Sequence, residues 1–265
     1  MSGTHQEDAP ILRNYRLQGE YCQADLACPG IAPMVEPGQF VHVRMPGLAH
    51  RVLRRPFSVF DVDPKAGRLS IIYKVVGEGT AHLASLNAGT SLDLIGPLGS
   101  GYTLPDSDDE PIIVAGGYGC AATWLLAKCS PAAPFCLLGG RTDQDLLLVE
   151  EFQTLGGEVR LATEDGSKGH RGLVTDLLEQ ALAVPSTGYR KIYACGPAGM
   201  LRKLSEIAEH HCLPAEISLD HVMCCGVGAC FACVLKRKTD SHRGWEYVRT
   251  CREGPVFDAK DVVWQ

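Results

Sequence analysis

Pro111-Ile112-Ile113-Val114-Ala115-Gly116-Gly117-Tyr118-Gly119 is the stretch from which the rest of the chain can be ordered. An unbroken apolar run of this kind suits a strand buried on both faces, as in a parallel sheet. Three glycines around Tyr118 then turn the chain, and residues 120–128 read as a helix. A helix start offers unpaired N–H groups and positive potential, so Gly116, Gly117 and Gly119 are candidates for cradling a nucleotide's phosphates. The pattern is not the G-x-G-x-x-G dinucleotide fingerprint, and glycines also occur in any tight strand–helix turn.

Downstream the same alternation repeats. Phe135-Cys136-Leu137-Leu138-Gly139-Gly140 reads as a second strand, residues 158–163 as a third, and Lys191-Ile192-Tyr193-Ala194-Cys195 as a fourth. Residues 173–182 and 200–211 read as helices. Strands alternating with helices predict a doubly wound parallel sheet, and residues 106–213 are assigned to it as an NAD(P)-binding α/β domain. Cys195-Gly196-Pro197 ends the last strand on the carboxyl edge, where open α/β sheets bind ligands. Together the two turns point to a nucleotide. Arg141 follows the second strand, where an adenosine ribose is recognised; it favours a 2′-phosphate or is simply solvated, so NADH and NADPH both stay open.

Upstream, residues 105–111 are acidic and bounded by prolines, and read as a linker or a solvated loop. Residues 15–104 are rich in short alternating segments separated by Gly and Pro, such as Gln39-Phe40-Val41-His42-Val43-Arg44-Met45, which predicts a closed antiparallel β-barrel over 1–105 with a helical interruption at 80–86. Arg54-Arg55-Pro56-Phe57-Ser58 follows a barrel strand. Arg55 there can neutralise a pyrophosphate, Phe57 can pack, and Ser58 can hydrogen-bond a ring edge; the plainer reading is a strand with a surface arginine. Gly77-Glu78-Gly79-Thr80, before the helical interruption, is a second possible phosphate contact.

The tail, 214–265, holds Cys225-Gly226-Val227-Gly228-Ala229-Cys230-Phe231-Ala232-Cys233, then seventeen residues, then Cys251. C-x4-C-x2-C with a distant fourth Cys is the plant-type [2Fe–2S] spacing. Gly226 and Gly228 allow turns that a Cβ forbids. The rivals are structural zinc, which usually pairs two Cys knuckles where this chain has one, and chance in a chain of twelve Cys. Cys224 competes with Cys225 as first ligand; Cys225 is preferred because it leaves the four-residue gap to Cys230. Residues 234–237 and 245–249 read as a hairpin returning Cys251 to the loop.

Composition excludes several classes. A net charge of −6 with no basic block argues against nucleic acid. No apolar run is long enough to span a bilayer, and residues 1–10 are polar and acidic, unlike a signal peptide, so a cytoplasmic protein with reduced thiols is expected. Cys136, in an apolar stretch, is most simply a small buried hydrophobe.

In their order, Arg55-Pro56-Phe57-Ser58, Gly79-Thr80, the Gly116 turn and Cys195-Gly196-Pro197 resemble the ferredoxin–NADP reductase superfamily over nearly the whole chain. With Cys225, Cys230, Cys233 and Cys251 added, the chain is similar to the electron-transfer subunit family of type B dihydroorotate dehydrogenase. The resemblance implies FAD on the barrel at Arg55, Pro56, Phe57 and Ser58, at the strand carrying Ile72-Tyr73-Lys74, and at Gly79 and Thr80. It implies NAD(P)H at the sheet edge and a [2Fe–2S] cluster that exchanges electrons with an FMN-containing catalytic subunit, in a heterotetramer, serving pyrimidine biosynthesis. One departure is Cys120-Ala121-Ala122-Thr123 after the glycine turn, without the family's proline. Rival readings are the flavin subunit of a sulfhydrogenase, an NADH-dependent ferredoxin:NADP oxidoreductase, or a zinc-stabilised binding module.

Overall fold

A computed structural model describes residues 3–48, 50, 52–186 and 188–264. Met1 and Ser2 of the polar N-terminus, with Ala49, Arg51, Thr187 and Gln265, lie outside the described residues. The chain opens with β1 (His5–Gln18), β2 (Tyr21–Ala27), β3 (Phe40–Arg44), β4 (Arg55–Asp63), β5 (Arg68–Lys74), α1 (Glu78–Ser85) and β6 (Ser91–Leu98). The six strands close an antiparallel barrel in the order β1-β2-β5-β4-β3-β6. β1 starts ten residues before Tyr15, because His5 to Pro10 pair residue by residue with β6. Val41, Val43, Leu69, Ile71, Leu92 and Leu94 alternate into the barrel core, as the two-residue strand period requires.

β7 (Asp109–Gly116), α2 (Gly119–Cys129), β8 (Phe135–Gly140), α3 (Val149–Gln153), β9 (Val159–Thr163), β10 (His170–Arg171), α4 (Val174–Leu182), β11 (Tyr189–Cys195) and α5 (Ala198–His210) follow. β7 begins inside the acidic stretch read as linker, since Asp109 and Glu110 already pair with Tyr189 and Arg190. α2 is apolar all round and buried from Gly119 to Ala127, which fits a helix covered on both sides. It is wedged between sheet and barrel: Trp124 packs on Phe60 at 6.0 Å and Lys128 pairs with Asp61 at 2.7 Å.

The last elements are β12 (Ala215–Ser218), β13 (Val234–Lys238), β14 (Trp245–Arg249) and β15 (Val256–Asp258). The sheet runs β10-β9-β8-β7-β11-β12-β15. It therefore draws two strands from beyond residue 213: β12 parallel to β11, and β15 antiparallel to β12. The cysteine segment is stitched at both ends into the sheet rather than hung from it. It is also tied to the barrel, where Ser100 N donates to Gly254 O at 2.6 Å. The strand order reverses between β7 and β11, the switch point at which doubly wound sheets bind ligands.

Candidate functional site

A cleft of about 480 Å³ opens between barrel and sheet. Arg55, Pro56, Phe57, Ser58, Ile72, Tyr73, Lys74, Gly79 and Thr80 all line it, joined by Cys195 from the sheet. Arg55 begins strand β4 rather than following a strand. The Arg55 side chain crosses directly over Gly79: a Cβ there would stand 2.3 Å from Nε and 2.4 Å from Cζ. The glycine of α1 is thus the space the arginine occupies, a link between two motifs about 25 residues apart that spacing could not show. Among the described residues Arg55 has no carboxylate partner. Thr80 is committed locally, its hydroxyl accepting from Val76 N at 3.0 Å and Gly77 N at 3.3 Å. Phe57 and Tyr73 meet edge to face at 5.9 Å, and Tyr73 donates to Asn14 Oδ1 at 2.8 Å.

A second cleft of about 480 Å³ lies at the switch point, lined by Gly116, Gly117, Pro197, Arg141 and Lys203 among others. Gly119 and Gly196 line neither cleft. They permit close approach instead: a Cβ on Gly119 would stand 2.1 Å from Cys195 O, and one on Gly196 3.1 Å from Gly116 N. Gly117 has φ +55, the left-handed region that glycine tolerates. The first turn of α2 is less open than expected, because Cys120 N and Ala121 N donate back to Gly117 O and Tyr118 O. The helix starts that face this cleft are those of α4, through Leu173, Val174 and Thr175, and of α5, through Gly199, Met200 and Lys203.

Lys74 and Tyr118 line both clefts. Tyr21 donates to Asp145 Oδ1 at 2.7 Å, Lys74 pairs with the same oxygen at 3.4 Å, and the Lys74 ammonium sits 4.8 Å over the Tyr21 ring. Tyr118 donates to Asp220, and burial together with that bond raises its pKa. Cys195 is pushed up to about 12 by burial and by the Asp220 charge, so its thiol stays neutral. Sequence reasoning had passed over Tyr118, although it sits inside the glycine turn, and Asp220, whose only signal is a position two residues past β12.

The cysteines stand in two pairs. The Cys225 side chain accepts from Ala229 N at 3.3 Å and Cys230 N at 3.4 Å, and the Cys230 side chain also bonds to it. Burial works to raise the Cys225 pKa but is outweighed by these donations, which bring it down to about 6. Cys224, beside it, is raised by desolvation and by Cys230. Cys233 and Cys251 are free thiols that face each other, and burial together with Cys233 pushes Cys251 up to about 12. Thr250 ties this pair, donating to Cys233 O from N at 3.0 Å and from Oγ1 at 2.9 Å. Positive φ at Gly226, Gly228 and Phe231 shapes the loop, and Arg249 Nη1 holds it through Gly228 O at 3.0 Å. Among the described residues no three His, Cys, Asp or Glu side chains are placed to hold a single metal ion. Two thiol pairs, one preorganised as a thiolate, fit a two-iron cluster better than one zinc.

Comparison with known proteins decides between the readings. Residues 220–263 match the model of the iron–sulfur cluster binding domain of dihydroorotate dehydrogenase B, and residues 30–102 match that of the oxidoreductase FAD-binding domain. The dihydroorotate dehydrogenase B (NAD(+)) electron transfer subunit of Desulforamulus reducens is 36% identical over 265 residues, covering 97% of this chain and 98% of that one. Its counterpart in Geobacillus kaustophilus is 40% identical over 238 residues, covering 88% and 89%. The chain belongs to this family of electron-transfer subunits. It is a flavin- and iron–sulfur-dependent oxidoreductase subunit, and its family implies a catalytic partner. Among solved structures, an NADH-dependent reduced ferredoxin-NADP oxidoreductase described for flavin-based electron bifurcation superposes with TM-score 0.85 at 27% identity, over 97% of this chain and 90% of that one. A ferredoxin NADP+ reductase from Neisseria gonorrhoeae, at 16% identity and TM-score 0.64 over 78% and 91%, shares the fold. No helix among the described residues is long and apolar enough to cross a membrane.

Proposed function

We propose that this chain moves electrons between NADH at the sheet edge and an FMN-holding dihydroorotate dehydrogenase subunit, with which it assembles as a heterotetramer. One observation carries the reading: the barrel cleft lies between the other two sites. It shares Lys74 and Tyr118 with the nucleotide cleft. It shares Met223 and Phe40 with the apolar cluster around Cys233 and Cys251. A flavin held in this cleft would supply the conversion between a hydride and single electrons, and a [2Fe–2S] cluster held by the cysteines would supply one-electron transfer. On this reading residues 1–105 hold FAD, 106–213 hold the nucleotide, and 214–265 hold the cluster.

The chain's own part is binding and spacing. Arg55 meets the flavin pyrophosphate with a charge that no carboxylate among the described residues pairs with, and Ser58 and the Ile72-Tyr73-Lys74 edge hydrogen-bond the ring system. Gly116, Gly117 and Pro197 let a second nucleotide lie close to backbone at the switch point, with Lys203 beside the α5 start. Tyr118 lines both clefts, so it would sit between a flavin and a nicotinamide held in them. Cys225, Cys230, Cys233 and Cys251 are the four iron ligands. The neutral Cys195 thiol packs at the junction without adding charge, and no acid–base pair is required, since hydride transfer needs proximity. Relatives named for NAD(+) favour NADH over NADPH.

The test is co-expression with a dihydroorotate dehydrogenase catalytic subunit. The expected complex contains flavin and iron and couples dihydroorotate oxidation to NAD+ reduction, which the catalytic subunit alone does not do. A purified protein that holds iron and flavin but neither binds that subunit nor supports the coupled reaction would move the assignment to another partner.

A further inference from the structure

β3 serves two neighbours. Val41 and Val43 face the barrel core, whereas Phe40 and His42 occupy the opposite face and are buried too, at 2% and 0% exposure. The C-terminal segment covers them. Phe40 packs with Met223, Cys233 and Cys251, and it lines the barrel cleft as well. His42 lies under the turn at Gly226, where an added Cβ would stand 2.4 Å from Nδ1. A ring this deep normally has its nitrogens bonded, yet neither has a partner among the described residues. The backbone groups that act on the ring come from Cys225 on the cysteine loop and from Arg54, the residue before the flavin strand. In the ladder His42 stands opposite Pro56 of that strand. The same imidazole thus lies between the cysteine loop and the flavin strand, without lining the barrel cleft itself, and its ring nitrogens have no hydrogen-bond partner among the described residues.

We propose that His42 is a positioning residue for the iron–sulfur site, donating from Nδ1 to the Cys225 end of the loaded loop and so fixing its distance from the flavin strand. Three features converge on this: no well-formed hydrogen bond to either ring nitrogen among the described residues, the place of the ring against the Cβ-less Gly226, and its strand's pairing with Arg55 and Pro56. A surface histidine would not need a glycine above it. A merely space-filling residue would be served by an apolar side chain, as at Phe40.

The inference rests on the cluster reading proposed above, and the test separates the two. The full chain is prepared with FAD and reconstituted iron and sulfide. His42→Leu removes both nitrogens, and His42→Asn keeps an N–H donor near Nδ1. Both variants should bind FAD and show wild-type flavin bleaching by NADH. In His42→Leu the g values of the dithionite-reduced cluster should shift, and stopped-flow cluster reduction by NADH should slow about tenfold, short of the ~hundredfold that a 1 Å misplacement can cost. His42→Asn should restore both. Iron lost from His42→Leu and kept by His42→Asn also supports the assignment. Wild-type g values and cluster reduction in a fully loaded His42→Leu would overturn it, as would loss of iron from both variants with FAD retained. Zinc in place of iron in the wild-type protein fails the cluster reading itself.

Discussion

Gly79→Ala is the substitution in which the structure and ordinary helix propensity disagree most usefully. Gly79 lies in α1 with Arg55 across it, and the new Cβ would stand 2.3, 2.4 and 2.6 Å from Nε, Cζ and Nη2. Carbon contacts of that kind settle at about 3.5 Å or more, so the guanidinium must move by roughly 1 Å. It can do so cheaply, because it is the end of a flexible side chain and not backbone. The metal- and flavin-free protein should therefore gain stability, up to the ~0.8–1 kcal/mol by which Ala exceeds Gly in a helix. FAD affinity should fall, because the arginine fork leaves the position from which it meets the pyrophosphate. A charge-assisted hydrogen bond is worth about 1.5–3 kcal/mol, and each ~1.4 kcal/mol is tenfold in Kd, so the loss should be between about tenfold and about a hundredfold.

The assay is FAD titration of the deflavinated protein, followed by flavin fluorescence, alongside urea unfolding of the same samples. Arg55→Ala should lose a similar factor, and the double variant should lose little more, since both changes remove one interaction. An unchanged FAD Kd in Gly79→Ala would refute the coupling of the two motifs. Fully additive losses in the double variant would also refute it, by showing that Gly79 acts on the flavin without Arg55.

Gly119→Ala places a Cβ 2.1 Å from the Cys195 carbonyl, a backbone clash between two buried elements, and should cost about 3 kcal/mol in urea unfolding; Gly199→Ala, which meets nothing within 4 Å and holds the same second position of its helix as Gly79, should cost nothing and can stabilise by up to ~1 kcal/mol. Tyr118→Phe frees Asp220 and should slow NADH bleaching of the flavin about fivefold, the worth of one hydrogen bond, while flavin content holds. Cys230→Ser should lose the reduced-cluster resonance and keep NADH bleaching, whereas Cys224→Ser should keep both. In metal-free protein Cys225 titrates near 6, so its alkylation by iodoacetamide, read by mass spectrometry, should be near its plateau at pH 7 and fall as pH drops through about 6. Because the folded thiol ionises below its unfolded value, this group adds stability as pH rises from about 6 toward 9, and withdraws it on the way back down. Cys224, shifted the other way, should react only in alkaline solution.

Much of this architecture was readable because its signals are local. The β7 run, the glycine turn and the C-x4-C-x2-C spacing each lie within about ten residues, and physical chemistry leaves few alternatives for such segments. Ile72 to Lys74 were reachable only through resemblance, and Arg55 to Ser58 offered a flavin contact only beside the plainer reading of a surface strand, since an arginine at a strand's start is not distinguished until Gly79 is placed beneath it. β12 and β15 were missed as sheet strands for a different reason. Each is too short, at four and three residues, to show a period, and each is held by partners far away in the chain.

β3 shows where the limit lies. Phe40-Val41-His42-Val43 alternates cleanly, and from that alone one face goes inward and the other to water. In the fold neither face is wet, because the cysteine segment closes over Phe40 and His42 from nearly two hundred residues downstream. A strand's alternation specifies which residues share a face and says nothing of what a distant segment lays upon it. That is why a histidine at such a position looks like an ordinary exposed residue in the sequence. The glycine that accommodates it, Gly226, looks like a turn residue chosen only for its φ of +70. Each is half of one contact. The pair becomes visible only when the cysteine loop is seated on the barrel, and that seating is also what brings the thiols beside the flavin cleft, with Phe40 packed against Cys233 and Cys251 and lining the cleft as well.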